Sequence, residues 1–126
     1  MRLLVDTNIV LDYLDERPSF FQSARKLMIL GFLHELELWM SASQATDLFY
    51  LLTNGGRASE AGEVKKSMRQ ARQFIRICSL TESDVDAIIT RNQKDFERSS
   101  IKVFDCDELF AYLEEEKGLA YDFIPL

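Results

Sequence analysis

The chain begins with a short apolar run, Leu3-Leu4-Val5, that ends abruptly at Asp6. An apolar run of this length, followed by small polar residues, is typical of a buried strand in a parallel sheet. Asp6 would then lie at the carboxyl end of the strand, which is where open α/β sheets bind ligands. From its position alone, two interpretations of Asp6 stay open: the carboxylate binds a divalent cation, or it caps the helix that follows.

The length and composition of the chain limit the kind of protein it forms. With 126 residues and a net charge of −6, it is expected to form a single soluble domain over residues 1–126, with one modest core. The negative charge argues against broad, non-specific binding to nucleic acid, but not against a local basic patch or a small basic partner. Two isolated cysteines and one histidine argue against a disulfide framework and a Cys/His metal site. Without a signal peptide or a membrane-spanning apolar stretch, we expect a cytoplasmic protein with no membrane contact.

The order of apolar runs and amphipathic segments predicts the fold class. After the first strand, further strands are predicted at residues 36–42, 74–80, 87–90 and 101–104. Helices are predicted over residues 19–33, from residue 43 to about 53, over residues 59–74, and after Asp105. Capping-box patterns at Ser41-x-x-Gln44 and Asp105-x-x-Glu108 mark two of the helix starts. Strands separated by helices predict an α/β fold with a parallel sheet and helices on its faces.

One short link departs from this pattern. Thr81-x-x-Asp84 predicts the start of a helix, yet the strand at residues 87–90 follows almost at once. A parallel crossover requires a dozen or more residues. Fully extended, residues 81–86 reach only about 20 Å. Either this helix-start pattern is false, or the chain lacks a crossover segment.

Asp47 is a second candidate for a site at the end of the sheet. It is predicted near the edge of the buried face of a helix, in the N-terminal turn. There it either contributes to a site or offsets the helix dipole. The apolar face of this helix is predicted to comprise Ala45, Leu48, Phe49, Leu51 and Leu52.

The segment after the strand at residues 87–90 is the third candidate. Asn92 follows the strand end, where it would coordinate a metal or position a water, and Asp95 would do likewise or cap a turn of helix. Arg91 and Lys94 flank these residues and are placed to contact phosphate. Because the carboxyl ends of parallel strands meet at one edge of a sheet, all these groups are expected to converge there.

Three blocks of this sequence, taken in the same order, resemble the PIN domain. The blocks are LVDTNIVLDYL from residue 4, SASQATDLFY from residue 41 and IITRNQKDF from residue 88. PIN domains are metal-dependent nucleases, and many small bacterial members are ribonuclease toxins that an antitoxin holds in check. The resemblance implies a three-layer α/β/α fold in which the third strand lies at one edge of the sheet. The fourth strand would lie on the far side of the first two strands.

The resemblance also assigns roles to individual residues. It implies Mg²⁺ or Mn²⁺ bound by Asp6 and Asp47, with Thr7 and Asn8 beside the first acid. Asn92 occupies the position of the family's last acid, and Asp95 matches the acid of its Asp-Phe pair. RNA is the implied substrate, and an antitoxin-type protein is the implied partner.

The chain departs from the family between the third and fourth strands. There, PIN domains carry a further acid on a crossover helix, and about 25 residues are missing here. Neither Asp84 nor Asp86 is placed in the position of that acid. We therefore expect metal-dependent RNA cleavage that is weak or absent. The alternative is a PIN-like protein without catalysis that acts by dimerisation or by binding an antitoxin-like partner.

The short link also predicts a rearrangement of the fold. One form is a homodimer in which residues 87–126 pack onto a second copy, since exchange preserves all buried contacts and short hinges favour it. The other form is displacement of the third strand from the sheet.

Overall fold

A computed structural model describes residues 1–52, 61–78 and 84–124. The strands of this part of the chain are β1 (Arg2–Val5), β2 (Glu37–Ser41), β3 (Ile75–Cys78), β4 (Ala87–Ile89) and β5 (Lys102–Phe104). Its α-helices are α1 (Thr7–Leu14), α2 (Phe21–Phe32), α3 (Ala42–Leu52), α4 (Ala61–Arg72) and α5 (Cys106–Lys117), and a 3-10 helix spans Gln93–Phe96. Each predicted strand and helix has a counterpart here. The helix start predicted at Thr81 lies outside the described residues.

The strands form a five-stranded, all-parallel sheet in the order β3-β2-β1-β4-β5. This α/β fold has the strand order implied by the resemblance to the PIN domain, with β3 at one edge and β4 beyond β1. Because β3 pairs with β2 from Ile75 to Cys78, the prediction that this strand leaves the sheet is wrong. Ile75 of this strand is buried in the core. Only residues 79–86 separate β3 from β4, and residues 79–83 lie outside the described part.

Reciprocal side-chain caps determine where α3 and α5 begin. The Gln44 N–H donates to Ser41 Oγ at 3.2 Å, and the Ser41 N–H donates to Gln44 Oε1 at 2.9 Å. Asp105 and Glu108 make the same pair of bonds at the start of α5. Both predicted capping boxes are therefore confirmed. They satisfy helix N–H groups that would otherwise lack partners.

Alternate residues of the central strands face two hydrophobic clusters. In the larger cluster, each of the five α-helices contributes at least one buried residue, among them Ile9, Ala24, Leu48, Ala71 and Leu109. On the opposite face, Leu4, Val85 and Ile88 pack with the partly buried Phe96, Ile101 and Val103. No described helix has both the length and the apolar character needed to cross a membrane.

The apolar face predicted for α3 is only partly buried. Leu48 is fully buried, whereas 48% of Phe49 and 51% of Leu51 are exposed, so the prediction that both are buried is wrong. Around the helix axis, Phe49 lies about 100° to one side of Leu48 and Leu51 about 60° to the other. The part of α3 that packs on the core is therefore narrower than the sequence pattern. The side chain of Leu52 lies outside the described part.

Candidate active site

Asp6 joins the end of β1 to β4 and to the first turn of α1. Its backbone N–H donates to the Ile89 carbonyl oxygen at 2.9 Å. Its carboxylate accepts the Thr7 N–H on Oδ1 and the Thr90 hydroxyl on Oδ2, both at 2.7 Å. The carboxylate therefore caps α1, as one interpretation of the sequence predicted. Each oxygen can still accept a further partner, because an ionised carboxylate has about four lone-pair sites.

Thr90 connects Asp6 to the segment that follows β4. Thr90 is fully buried; its hydroxyl donates to Asp6 and accepts the Asn92 N–H at 3.0 Å. Asn92 precedes the 3-10 helix, but its side chain makes no capping hydrogen bond to it. Its carbonyl oxygen accepts the Asp95 N–H at 3.0 Å. This short series of bonds links both predicted residues to Asp6 through Thr90.

Residues from three separate parts of the chain line one cleft at the carboxyl edge of the sheet. Its volume is about 480 Å³. The four predicted catalytic residues and the two polar neighbours of Asp6 all lie around it. The lining comprises Asp6, Thr7, Asn8, Leu11, Arg17, Asp47, Tyr50, Leu51, Asn92 and Asp95.

Asp47 reaches the cleft from the second turn of α3, so the prediction that it lies in the N-terminal turn is wrong. It is exposed, and the first turn of α3 contains no acidic residue. A charge outside the first turn contributes little to offsetting the helix dipole. The placement therefore fits a site residue better than the alternative role in helix stability.

Comparison with known families agrees with this geometry. The family model of the PIN domain matches residues 2–98. The chain belongs to the PIN-domain family. The match includes every residue that lines the cleft, and membership indicates a nuclease-type function of the kind that generally depends on a divalent metal. Among curated proteins, no match to the chain was found.

Asn8 contributes an unsatisfied amide to the cleft of this PIN domain. Its Oδ1 and Nδ2 atoms are both buried, and neither has a hydrogen-bond partner in the described part of the chain. A buried polar group without a partner costs about 1–3 kcal/mol, so a water, cation or phosphate that supplies one is favoured there. Asn8 therefore supports a ligand site in the cleft.

Arg91 has a different partner from the phosphate predicted for it. Its guanidinium makes a bidentate pair with Asp12, with Nε–Oδ2 at 2.7 Å and Nη2–Oδ1 at 2.9 Å, and lies 4.0 Å above the centre of the Phe20 ring. The Asp12 side chain is 1% exposed. Arg91 and Lys94 border a depression beside the cleft and not the cleft itself. The Asp12–Arg91 pair thus fixes the segment from Thr90 to Asn92 against α1.

Arg17 is a site residue that the sequence did not reveal. In the described part of the chain it is the only basic side chain lining the cleft. Its guanidinium makes long ion pairs with Asp12 at 3.6 Å and Asp15 at 3.7 Å. No local pattern distinguishes Arg17, since it lies in the loop after α1 and only the fold brings it to the carboxylates.

Asp86 lies at the opposite edge of the sheet from the cleft. Its carboxylate accepts the Arg2 N–H at 2.7 Å, and its own N–H donates to the Arg2 carbonyl oxygen at 2.8 Å. Arg2 begins β1, whereas Asp6 follows the end of that strand. Asp84 precedes Asp86 by only two positions. Neither residue therefore replaces the acid that PIN domains carry on the missing crossover helix.

The donor set of the cleft fits a cation that keeps most of its own water. In the residues that the structure describes, no three His, Cys, Asp or Glu side chains form a group able to hold a metal ion. The cleft instead offers the carboxylates of Asp6, Asp47 and Asp95 around its rim. Mg²⁺ is commonly held by one or two carboxylates together with waters and substrate phosphate. The residues present fit that arrangement and not a closed protein cage.

The Cys106 thiol is not a nucleophile at neutral pH. Burial raises its pKa to about 12, and the carboxylates of Asp107 and Asp105 contribute to the increase. Only the thiolate form is reactive. Cys106 also does not line the cleft.

Proposed function

We propose that this PIN domain is a metal-dependent endoribonuclease of the toxin type, with activity reduced by the missing acid. The observation that supports it is the single cleft lined by Asp6, Asp47, Asn92 and Asp95. Three carboxylates opposed by one guanidinium make this cleft anionic. An anionic cleft of oxygen ligands favours a hard divalent cation such as Mg²⁺ or Mn²⁺.

Asp6 and Asp47 are the residues that would hold the metal. Bound there, Mg²⁺ or Mn²⁺ neutralises phosphate charge and lowers the pKa of water. Thr7 and Thr90 hold the Asp6 carboxylate in one orientation through their hydrogen bonds. Asn92 and Asp95 orient the attacking water. As its oxygen bonds to the phosphorus, the water loses a proton to the solvent; a phosphorus–oxygen ester bond breaks, and the leaving oxygen gains a proton.

The substrate contacts come from both walls of the cleft. Thr7 and Asn8 border the metal-binding acids, and the unsatisfied Asn8 amide can donate to a phosphate oxygen. Arg17 and Lys94 supply positive charge, one from inside the cleft and one from the adjoining depression. Arg91 is proposed to act indirectly, by holding the segment that carries Asn92.

A second candidate is a PIN domain that acts by binding alone. It is favoured because no three carboxylates of the described residues are grouped so that they could hold one metal ion, and because Asp86 lies at the opposite edge of the sheet. The net charge of −6 would complement a basic, antitoxin-type protein. The two candidates differ in whether RNA is cleaved.

An RNA cleavage assay tests the proposed activity. With single-stranded RNA and Mn²⁺, we expect metal-dependent cleavage slower than about 1 s⁻¹, because the site lacks one charged ligand. Chelation by EDTA and the substitution Asp47→Asn should each abolish it. Cleavage at or above about 1 s⁻¹ would show that the missing acid is dispensable. If no divalent metal supports cleavage, the result would favour the second candidate, a PIN domain that acts by binding alone.

The oligomeric state tests the proposed exchange of residues 87–126. A swapped dimer would keep the β1–β4 pairing and the Asp12–Arg91 pair, but between two chains. Because the link between β3 and β4 is short for a parallel crossover, we expect light scattering at micromolar concentration to give the mass of a dimer. A strictly monomeric mass would mean that residues 79–86 span the distance from β3 to β4 within one chain.

A further inference from the structure

Basic residues are concentrated in one segment of an otherwise acidic chain. Residues 61–76, which run from α4 into the start of β3, carry a net charge of +4, whereas the whole chain carries −6. Four exposed side chains of this segment form what we call the basic strip: Lys66, Arg69, Arg72 and Arg76. The first three make no ion pair with any other residue that the structure describes. Their charges are therefore available to a partner.

The basic strip ends at a depression on the amino edge of the sheet. The depression has a volume of about 300 Å³ and lies where β2 and β3 begin. Arg72 and Arg76 both line it. Glu37, the one acid in this lining, pairs with Arg76 at 3.4 Å and with Arg2 at 3.7 Å. Two guanidinium groups thus share the charge of Glu37, and Arg72 retains an unpaired positive charge.

The cleft itself supplies little of the positive charge that binds a polyanion. Three carboxylates and one guanidinium line it. Contacts from lysine and arginine to phosphate supply much of the affinity of proteins for nucleic acid. An RNA that enters this anionic cleft would therefore draw binding energy from a cationic surface outside it.

The basic strip is placed to be that surface. Its helix, α4, packs against α3, which carries Asp47 to the cleft. With 12 residues, α4 is about 18 Å long, and it ends at Arg72 beside the depression. An RNA that extends beyond the cleft can therefore contact both surfaces at once.

We infer that the basic strip is a second binding surface for RNA and holds the phosphate backbone outside the cleft. This inference rests on the proposed function, because RNA is the ligand of both surfaces. Arginine suits the role, since its planar guanidinium forms paired hydrogen bonds with phosphate oxygens. The strip is expected to raise the affinity for long RNA without taking part in the chemistry.

Lys117 provides a matched control for Arg72. Each is an exposed basic residue in the last turn of a helix, Arg72 in α4 and Lys117 in α5. Neither makes an ion pair with another described residue. Because α5 packs on β5, at the opposite side of the sheet from β3, Lys117 lies away from the strip. Replacing either residue by glutamine removes one charge and one favourable contact with a helix end.

Binding of an RNA of about 12 nucleotides tests the inference without relying on cleavage. With Ca²⁺ as the divalent ion, the double variant Arg69→Gln, Arg72→Gln should bind about tenfold more weakly than the unsubstituted protein. The slope of log affinity against log salt concentration should become shallower by about 1.4, because each phosphate contact to a single strand contributes about 0.7. Lys117→Gln should change neither quantity. The double variant Arg69→Lys, Arg72→Lys keeps both charges and should retain most of the affinity and the slope.

Several results would overturn the second surface. They are unchanged affinity and slope in the glutamine double variant, a loss in Lys117→Gln as large as in that variant, or equal losses in the lysine and glutamine double variants. Failure of the nuclease proposal gives a different result: binding would still depend on Arg69 and Arg72, but no RNA would be cleaved. Cleavage with an unchanged KM in the glutamine double variant would overturn the second surface and leave the nuclease standing.

Discussion

Replacing Asp12 by asparagine should lower the free energy of unfolding by about 3 kcal/mol. The change removes the charge that pairs with Arg91 and leaves its guanidinium over the Phe20 ring without an anionic partner from α1. Breaking a buried ion pair from one side costs about 3–5 kcal/mol, and 27% of the Arg91 side chain is exposed, which favours the low end. Urea denaturation should show a lower midpoint with an unchanged slope. For a domain with about 5–15 kcal/mol of stability, this is a large loss.

Asp15→Asn is the matched control for this prediction. Asp15 pairs with Arg17 at 3.7 Å and its side chain is 50% exposed, so the same change should cost less than about 0.5 kcal/mol. The double variant Asp12→Leu, Arg91→Met leaves no unpaired charge and should recover most of the lost stability. Equal effects of the two single variants would mean that burial of the Asp12–Arg91 pair has no energetic consequence.

Asp6→Asn should reduce the affinity for Mn²⁺ at least about 100-fold and abolish RNA cleavage. Removing a hydrogen-bond partner of a metal ligand typically lowers the metal affinity about 10–100-fold. Removing the ligand itself should lower the affinity at least as much. The asparagine oxygen can still accept the Thr7 N–H, so the cap of α1 should survive and the protein should fold. Calorimetric titration with Mn²⁺ measures the first effect, and the cleavage assay measures the second.

Asp86→Asn controls for the change in net charge. It removes the same charge at the opposite edge of the sheet, where an asparagine oxygen can still accept the Arg2 N–H. We expect Mn²⁺ affinity and cleavage to be unchanged in this variant. If Asp6→Asn retains the Mn²⁺ affinity of the unsubstituted protein, the metal site lies elsewhere.

Much of the fold and of the cleft could be predicted from local patterns. The run that ends at Asp6 and the capping boxes at Ser41 and Asp105 each depend on a few consecutive residues. A short window of sequence contains all that such a feature needs. The convergence of Asp6, Asp47 and Asn92 follows from parallel strands, whose carboxyl ends share one edge.

The partners of charged residues could not be predicted in this way. Asp12 lies three positions after Ile9, on the buried face of α1. A carboxylate on a buried face predicts a positively charged partner nearby. Nothing in the sequence identifies Arg91 as that cation, because the two are 79 positions apart. The sequence pattern therefore assigns Arg91 to phosphate and does not distinguish Arg17 from other basic residues. The exposure of Phe49 likewise depends on how much of α3 the sheet covers, which periodicity does not specify.

The hydrogen bond from Thr90 to Asp6 has a consequence for when the site forms. It joins residues 84 positions apart, so Asp6 is synthesised long before Thr90, whose hydroxyl orients the Asp6 carboxylate. Contacts between distant positions form late, because closing a long loop of chain costs entropy. A nascent chain that ends after β3 already contains Asp6 and Asp47 but has no Thr90, Asn92 or Asp95. On the ribosome, the cleft is thus completed only after β4 and the 3-10 helix have emerged, and an unfinished chain carries no complete site.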